Sequence, residues 1–351
     1  MPSQHSQLCT MYALGLTLLA AALSVEAASS VPSVEGVHIS VNVRNEGSHD
    51  IKVLRYDTVL DNEHGTQPFV VNRDGREVIF TGISVQLDFR ALDDTAFTFI
   101  PAGGVVNISH DLSALYDFES HGPGNFSFEP ITTFLFADQL LYDSFEPINV
   151  AAPSISLEIT GDVARREHGL LRRATLSCDD AESAAFIAES YKESRTLAQL
   201  TSAYIANQGS DAVFKTYFGT SSTSVVGNVY TQIAEENNST ITLFCVTPPS
   251  TCAAGLIAYA AGSAGKAWFC PAFFTLPSIA SFCDKPLPEA RLVRSGTLLH
   301  ELTHIFKRTV DYGYGCFDFD QKLALSDPEK ASNNADTYNC FAGQVYANTQ
   351  C

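Results

Sequence analysis

The pentapeptide His300-Glu301-Leu302-Thr303-His304 sets two imidazoles and a carboxylate at helical spacing. It follows Leu298 and Leu299, an apolar approach that suits a helix. Residues at i and i+4 lie on one helical face, so both rings can grip a single Zn²⁺. Glu301, one residue on, is placed to reach a water at an open coordination position and act as general base. That chemistry is metal-assisted hydrolysis. Two helical histidines can also merely cap or pack, so the rest of the chain must supply a third ligand.

The nine histidines are His5, His38, His49, His64, His110, His121, His168, His300 and His304. After His168 the motif pair stands alone. A third ligand from the C-terminal half is therefore a carboxylate or a thiolate, which argues against sites that take a third histidine six residues after the second. The downstream carboxylates are Asp311, Asp318, Asp320, Asp327, Glu329 and Asp336. Glu329 would suit a thermolysin-type site, although Asp327-Pro328-Glu329 reads as a helix start, where acidic residues favour the dipole. Asp311 precedes Gly313 and Gly315, which permit a sharp return of the chain towards the helix.

The elements that must position these groups fall into two regions, as a chain of 351 residues suggests. Residues 179–218 read as helices, 221–285 as short strands and loops rich in Cys, Gly and Ser. The motif helix covers 295–307, with Ser295 or Thr297 as N-cap, and a last helix covers 332–348. Upstream, residues 36–160 alternate like strands: Val37–Val43, Glu77–Phe80, Ile83–Phe89, Phe97–Ile100, Phe126–Phe128 and Ile155–Ile159. Turn signals between them suggest an antiparallel sandwich. The fold class is α+β: a mainly helical C-terminal domain with a small β-sheet, preceded by a mainly-β, sandwich-like region. No internal repeat is visible.

Composition sets the compartment. The net charge of −18 argues against nucleic acid and attracts basic substrates, or else keeps a secreted monomer soluble. An apolar run, Met11–Val25, is too short to cross a bilayer comfortably, and Val25-Glu26-Ala27 offers small residues at signal-peptidase positions. Residues 1–27 are thus expected to be a signal peptide, and no later stretch suits a membrane helix. Cys9 falls in that leader. The other eight cysteines (Cys178, Cys245, Cys252, Cys270, Cys283, Cys316, Cys340 and Cys351) all follow residue 177 and read as a disulfide framework in an oxidising compartment. Their connectivity is open from sequence. Sequons at Asn107, Asn125, Asn237 and Asn238 fit a secretory route. The dibasic pairs Arg165-Arg166 and Arg172-Arg173 sit where composition changes, and a kexin-like protease can cut there. The expected organisation is a propeptide over 28–173 and a catalytic domain over 174–351.

His300-Glu301-x-x-His304, then Thr309-x-Asp311-x-x-Tyr314-Gly315, then Asn334-Ala335-Asp336-Thr337-Tyr338 together resemble the deuterolysins. These are fungal secreted zinc endopeptidases, also called aspzincins because the third ligand is an aspartate. The resemblance extends over the whole chain, from leader through propeptide to the cysteine-bearing domain. It implies that His300, His304 and Asp311 hold one Zn²⁺ per chain, that Glu301 is the general base, that Tyr314 donates a hydrogen bond to the oxyanion, and that Asp336 steadies a ligand or the active-site loop. It implies bridges Cys178–Cys245, Cys252–Cys270 and Cys283–Cys351, leaving Cys316 and Cys340 as an additional pair that would tie the Asp311 turn to the last helix. It implies protein or peptide substrates with a preference for basic ones, and the chain's own propeptide as a partner before processing. Three departures stand out: Arg308 where the family usually has Gly, a shorter path from His304 to Asp311, and Phe273 where the family has Tyr. The rival readings are a catalytically weakened zinc-binding homologue that acts as a binding protein, and the thermolysin-type site built on Glu329.

Overall fold

The computed structural model describes residues 21–137, 147–164, 178–236, 241–245, 252–285, 287 and 291–351. Both dibasic pairs, the sequons at Asn237 and Asn238, and most of the expected leader lie outside the described residues. The described residues form two compact units, one within 21–83, 93–137 and 147–164, the other within 84–92 and 178–351.

Period-two patterning builds the first unit. In His38–Asn45 the side chains of Ile39, Val41 and Val43 are buried while His38 and Arg44 face water. This strand lies between Ala21–Ala27 and Val105–Asp111, both antiparallel to it. A second sheet runs in the order Ser30–Ser33, Ile155–Asp162, Gly124–Pro130, Phe69–Arg73 and Arg76–Glu77. Its inward residues, including Phe69, Phe126, Phe128, Leu157 and Ile159, share one apolar core with Ile39, Val41 and Val43. Ser30–Ser33 pairs in parallel with Ile155–Asp162.

Helices and a small sheet make the second unit. A long helix, Ala181–Gln208, is N-capped by Asp180, which accepts from the Ser183 amide at 2.7 Å. It ends at Gly209, whose φ of 61° is a conformation that glycine adopts freely. A short helix, Ala212–Phe218, follows. The next segment departs from expectation: Thr223–Ala234 is a helix, not strand and loop. Its valines, Gly227 and hydroxyl residues score poorly on helix propensity. Tertiary burial decides instead, because Val226, Val229, Tyr230 and Ile233 line one helical face and are all buried.

The motif helix spans Arg294–Lys307. Its N-cap position is Val293, without a side-chain cap. Ser295 and Thr297 therefore do not cap it; both lie inside the helix, buried, with hydroxyls that have no hydrogen-bond partner. Every residue from Ser295 to His304 is buried, because the helix packs against the long helix, the C-terminal helix Ala335–Gln350 and the strand Leu256–Ala261.

The sheet of this unit runs in the order Thr242–Cys245, Lys266–Phe269, Leu256–Ala261, Ser84–Leu87. The last strand is a second departure. Ile83–Phe89 was expected among the N-terminal strands; Ser84–Leu87 instead pairs antiparallel with Leu256–Ala261, with Val85 opposite Tyr259 and a bulge between Leu256 and Ala258. Alternation identifies a strand but not its partner.

Four disulfides staple the unit: Cys178–Cys245, Cys252–Cys270, Cys283–Cys351 and Cys316–Cys340. The first joins the approach to the long helix to the sheet. The last joins the segment after the Asp311 turn to the C-terminal helix.

Candidate metal centre

His300 and His304 lie one helical turn apart, with ring centroids separated by 4.9 Å. The helix stops at Arg308, a non-glycine residue in the left-handed conformation (φ 60°, ψ 38°). Arg308 thus occupies a conformation that glycine reaches at less cost. The chain turns at once: the Nδ1–H of His304 donates to the Thr309 carbonyl at 2.7 Å. Thr303 Oγ and Thr309 Oγ lie 2.8 Å apart beneath it. One side of the His304 ring is thereby consumed, and Nε2 is left with its lone pair.

Past the turn, Val310 is held against the segment that begins the C-terminal helix. Its amide donates to the Asn333 carbonyl at 2.9 Å, and its carbonyl accepts from the Ala335 amide at 3.1 Å. Asn334 locks the loop by accepting from the Tyr312 amide at 2.9 Å and donating to the Gly313 carbonyl at 3.2 Å. These contacts return Asp311 to the helix despite the short path. Its Oδ1 lies 3.1 Å from His300 Nε2 and its Oδ2 lies 3.2 Å from His304 Nε2. All three side chains are buried, and one donor atom from each falls within 4.8 Å of the others.

The polar atoms here lack hydrogen-bond partners. Both oxygens of Asp311, both nitrogens of His300 and Nε2 of His304 make no hydrogen bond. Buried polar groups are almost always satisfied, so unsatisfied lone pairs converging on one point fit a cation. Two imidazoles and one carboxylate are a donor set suited to Zn²⁺.

Glu301 is fully buried on the same helix, with both carboxylate oxygens unpartnered. Burial drives its pKa well above the ordinary value; His304 opposes that rise and Asp311 adds to it. Burial alone would lower His304, but the Asp311 carboxylate more than offsets it and raises the imidazole to about 9. Burial would raise Asp311, yet the two imidazoles hold it far below the usual carboxylate range.

Tyr314 stacks on His300, with centroids 6.1 Å apart, and its hydroxyl donates to the Val85 carbonyl. Asp336 accepts from the Gly315 amide at 2.8 Å and from Arg291 Nη1 at 3.1 Å, and its Oδ1 is 4.0 Å from His300 Nδ1. Arg291 was missed in the sequence. It stands 9 residues before His300, outside every motif, and only the fold places its guanidinium over the Tyr314 ring, 5.7 Å from the centroid.

None of the other carboxylate candidates groups with both histidines as a set able to share one metal. Among the described residues, the groups able to share one metal are His300, His304 and Asp311, and separately Cys316, Asp320 and Cys340. In the second, both sulfurs are spent in a disulfide. Asp320 accepts from Asn334 at 2.9 Å and from Thr337 at 3.0 Å, and burial pushes its carboxyl well up. Glu329 lies in the first turn of the short helix Pro328–Ala331. Phe273 is buried against Phe269, Phe186 and Phe274.

Residues 203–343 match the aspzincin family, described as lysine-specific metallo-endopeptidase. A neutral protease 2 homolog of Pyricularia oryzae is 27% identical over 353 residues, covering 95% of this chain and 98% of its own. A peptidyl-Lys metalloendopeptidase of Grifola frondosa is 27% identical over 337 residues, covering 91% of each.

The chain carries the aspzincin, or deuterolysin, family's pattern over residues 203–343.

It is a zinc metalloendopeptidase. The aspzincin match opens within the long helix, takes in the motif helix and the return loop, and closes at Gly343 on the C-terminal helix. A solved zinc peptidase from Grifola frondosa is also similar, at 25% identity and a TM-score of 0.38, covering 48% of this chain and 97% of that one.

Proposed function

We propose that this aspzincin is secreted as a proenzyme, is cut after Arg173 by a kexin-like protease, and hydrolyses proteins with a preference for basic ones. One Zn²⁺ would be held by His300, His304 and Asp311. The observation that carries this reading is the convergence within 4.8 Å of their buried donor atoms, none with a hydrogen-bond partner, beside the helix that presents Glu301.

Bound there, Zn²⁺ supplies Lewis acidity, polarising a carbonyl and making water acidic near neutral pH. The residues do the rest. His304 is fixed by Thr309, so its free nitrogen faces the ion without reorientation. Glu301 takes a proton from the attacking water and passes it to the leaving amine. Its raised pKa suits that shuttle, because a strongly acidic carboxylate would hold no proton to return. Once free of the Val85 carbonyl, the Tyr314 hydroxyl would donate to the oxygen on which negative charge develops. Asp336 steadies the Tyr314-Gly315 loop and, through Arg291, the Tyr314 ring.

Secretion is supported by the four disulfides, the leader-like N-terminus and the sequons. The strand-rich unit would be the sandwich-like propeptide. A basic preference is supported by the net charge of −18 and by the Grifola relative, whose name places cleavage at lysine. A monomer suffices for this chemistry.

The test is zinc content and protamine cleavage by the Arg173-processed protein beside its Glu301→Gln variant. One zinc in each, with cleavage in the wild type alone, supports the reading. A processed wild type that binds zinc and cleaves nothing favours a binding protein on a protease scaffold.

A further inference from the structure

The sheet of the catalytic unit is completed by residues from the other end of the sequence. We propose that Ser84–Phe89 is a built-in, substrate-like inhibitor that fills the polypeptide groove of the uncleaved chain. The inference rests on the proteinase reading above.

The segment is gripped on both edges. On one edge it pairs antiparallel with Leu256–Ala261, and the Asp88 amide extends the pairing to the Gly255 carbonyl at 2.7 Å. On the other, two carbonyls a strand repeat apart meet donors: Val85 accepts from the Tyr314 hydroxyl, and Leu87 accepts from Arg291 Nη2 at 3.5 Å. Alternate carbonyls of an extended chain point to the same side, so this is one backbone held in register. Proteins that capture extended peptides use this mode, in which a strand added to an exposed edge gains affinity through its main chain.

Both outer donors belong to the metal centre. The Tyr314 ring stacks on His300, and Arg291 bonds to Asp336, which lies 4.0 Å from His300. The hydroxyl proposed to stabilise an oxyanion is therefore spent on a carbonyl of the chain itself. The Phe89 ring packs edge-on against Tyr314 at 5.5 Å, closing over it. Val85, Gln86 and Leu87 are fully buried, so no second polypeptide can share this edge while they stay. The Gln86 amide is buried without a partner, a cost that an edge strand kept only to finish a sheet would shed for an apolar side chain.

The test uses the full chain made uncleavable by Arg165→Ala, Arg166→Ala, Arg172→Ala and Arg173→Ala. Zinc content and hydrolysis of an internally quenched lysine-containing peptide are followed. In the uncleavable parent, hydrolysis should run at least roughly tenfold slower than in wild type cut at Arg173 and diluted. The deficit should lie in KM, because a competing segment lowers the competent fraction without altering the chemistry. Gln86→Pro in the uncleavable background removes a backbone donor from the strand and should recover most of the loss with zinc retained. If zinc-loaded Gln86→Pro is no faster than its parent while the cut wild type is active, the inhibitory strand is overturned and the proteinase reading stands. Should Gln86→Pro fail to hold zinc, Phe89→Ala decides by the same criterion. A cut, zinc-loaded wild type without activity removes the proteinase reading, and this proposal with it.

Discussion

The Nδ1–H of His304 donates to the carbonyl of Thr309, only five residues on, at 2.7 Å. This bond orients the ring proposed to face the metal and also starts the turn that returns Asp311. The Thr309 hydroxyl braces the same turn against Thr303. Thr309→Val keeps the shape and the carbonyl but loses the hydroxyl. Zinc affinity is expected to fall roughly tenfold, as for loss of a group that orients a metal ligand. Competition with a fluorescent chelator measures it; unchanged affinity would show that the carbonyl alone sets the ring.

Gly262 follows the central strand where it passes beneath the motif helix. A β-carbon there would lie 2.2 Å from the His304 carbonyl oxygen, a backbone atom that cannot rotate away. Gly262→Ala must push the helix from the sheet. It is expected to destabilise the catalytic unit by about 1–3 kcal/mol, as for overpacking, and to weaken zinc retention against EDTA. Wild-type melting and zinc content in this variant would refute the close approach.

Cys316–Cys340 ties the segment following Asp311 to the C-terminal helix that carries Asp336. We expect Cys316→Ala with Cys340→Ala to cost about 2–4 kcal/mol. Zinc affinity should fall further than in a variant lacking Cys283–Cys351, which ties the far end of the same helix. Denaturant melts and zinc titration on the two variants make the comparison, and equal zinc affinities would deny the bridge any role in seating Asp311.

Without zinc, His304 is raised from 6.5 to about 9, since the Asp311 carboxylate outweighs burial. A raised folded pKa contributes stability that is fully present below the unfolded value and is lost as pH rises through the folded one. The chelated protein should therefore lose thermal stability between about pH 6.5 and 9. The zinc-loaded protein should not show that loss, because the ion keeps the imidazole deprotonated throughout. Melting curves across this range with EDTA and with zinc measure both, and a flat EDTA curve would mean that the His304–Asp311 pair is not formed.

The sequence alone determined the local spacing on which the proposed chemistry rests. His300, Glu301 and His304 need only one helical turn to share a face, and the Leu298, Leu299 and Leu302 pattern guarantees that turn. Alternation in His38–Asn45 likewise specified a half-buried strand. Tertiary structure decided what spacing cannot encode. The helix Thr223–Ala234 exists because its buried face overrides weak propensity. The seat of Asp311 depends on Asn333–Ala335, more than 20 residues further on, and Arg291 reaches Tyr314 and Asp336 only once the chain has folded back. The partner of Ser84–Leu87 was least legible. A strand's hydrophobic pattern records which face is buried, while its unpaired backbone edge can bond to any other edge, and here that edge lies about 170 residues away.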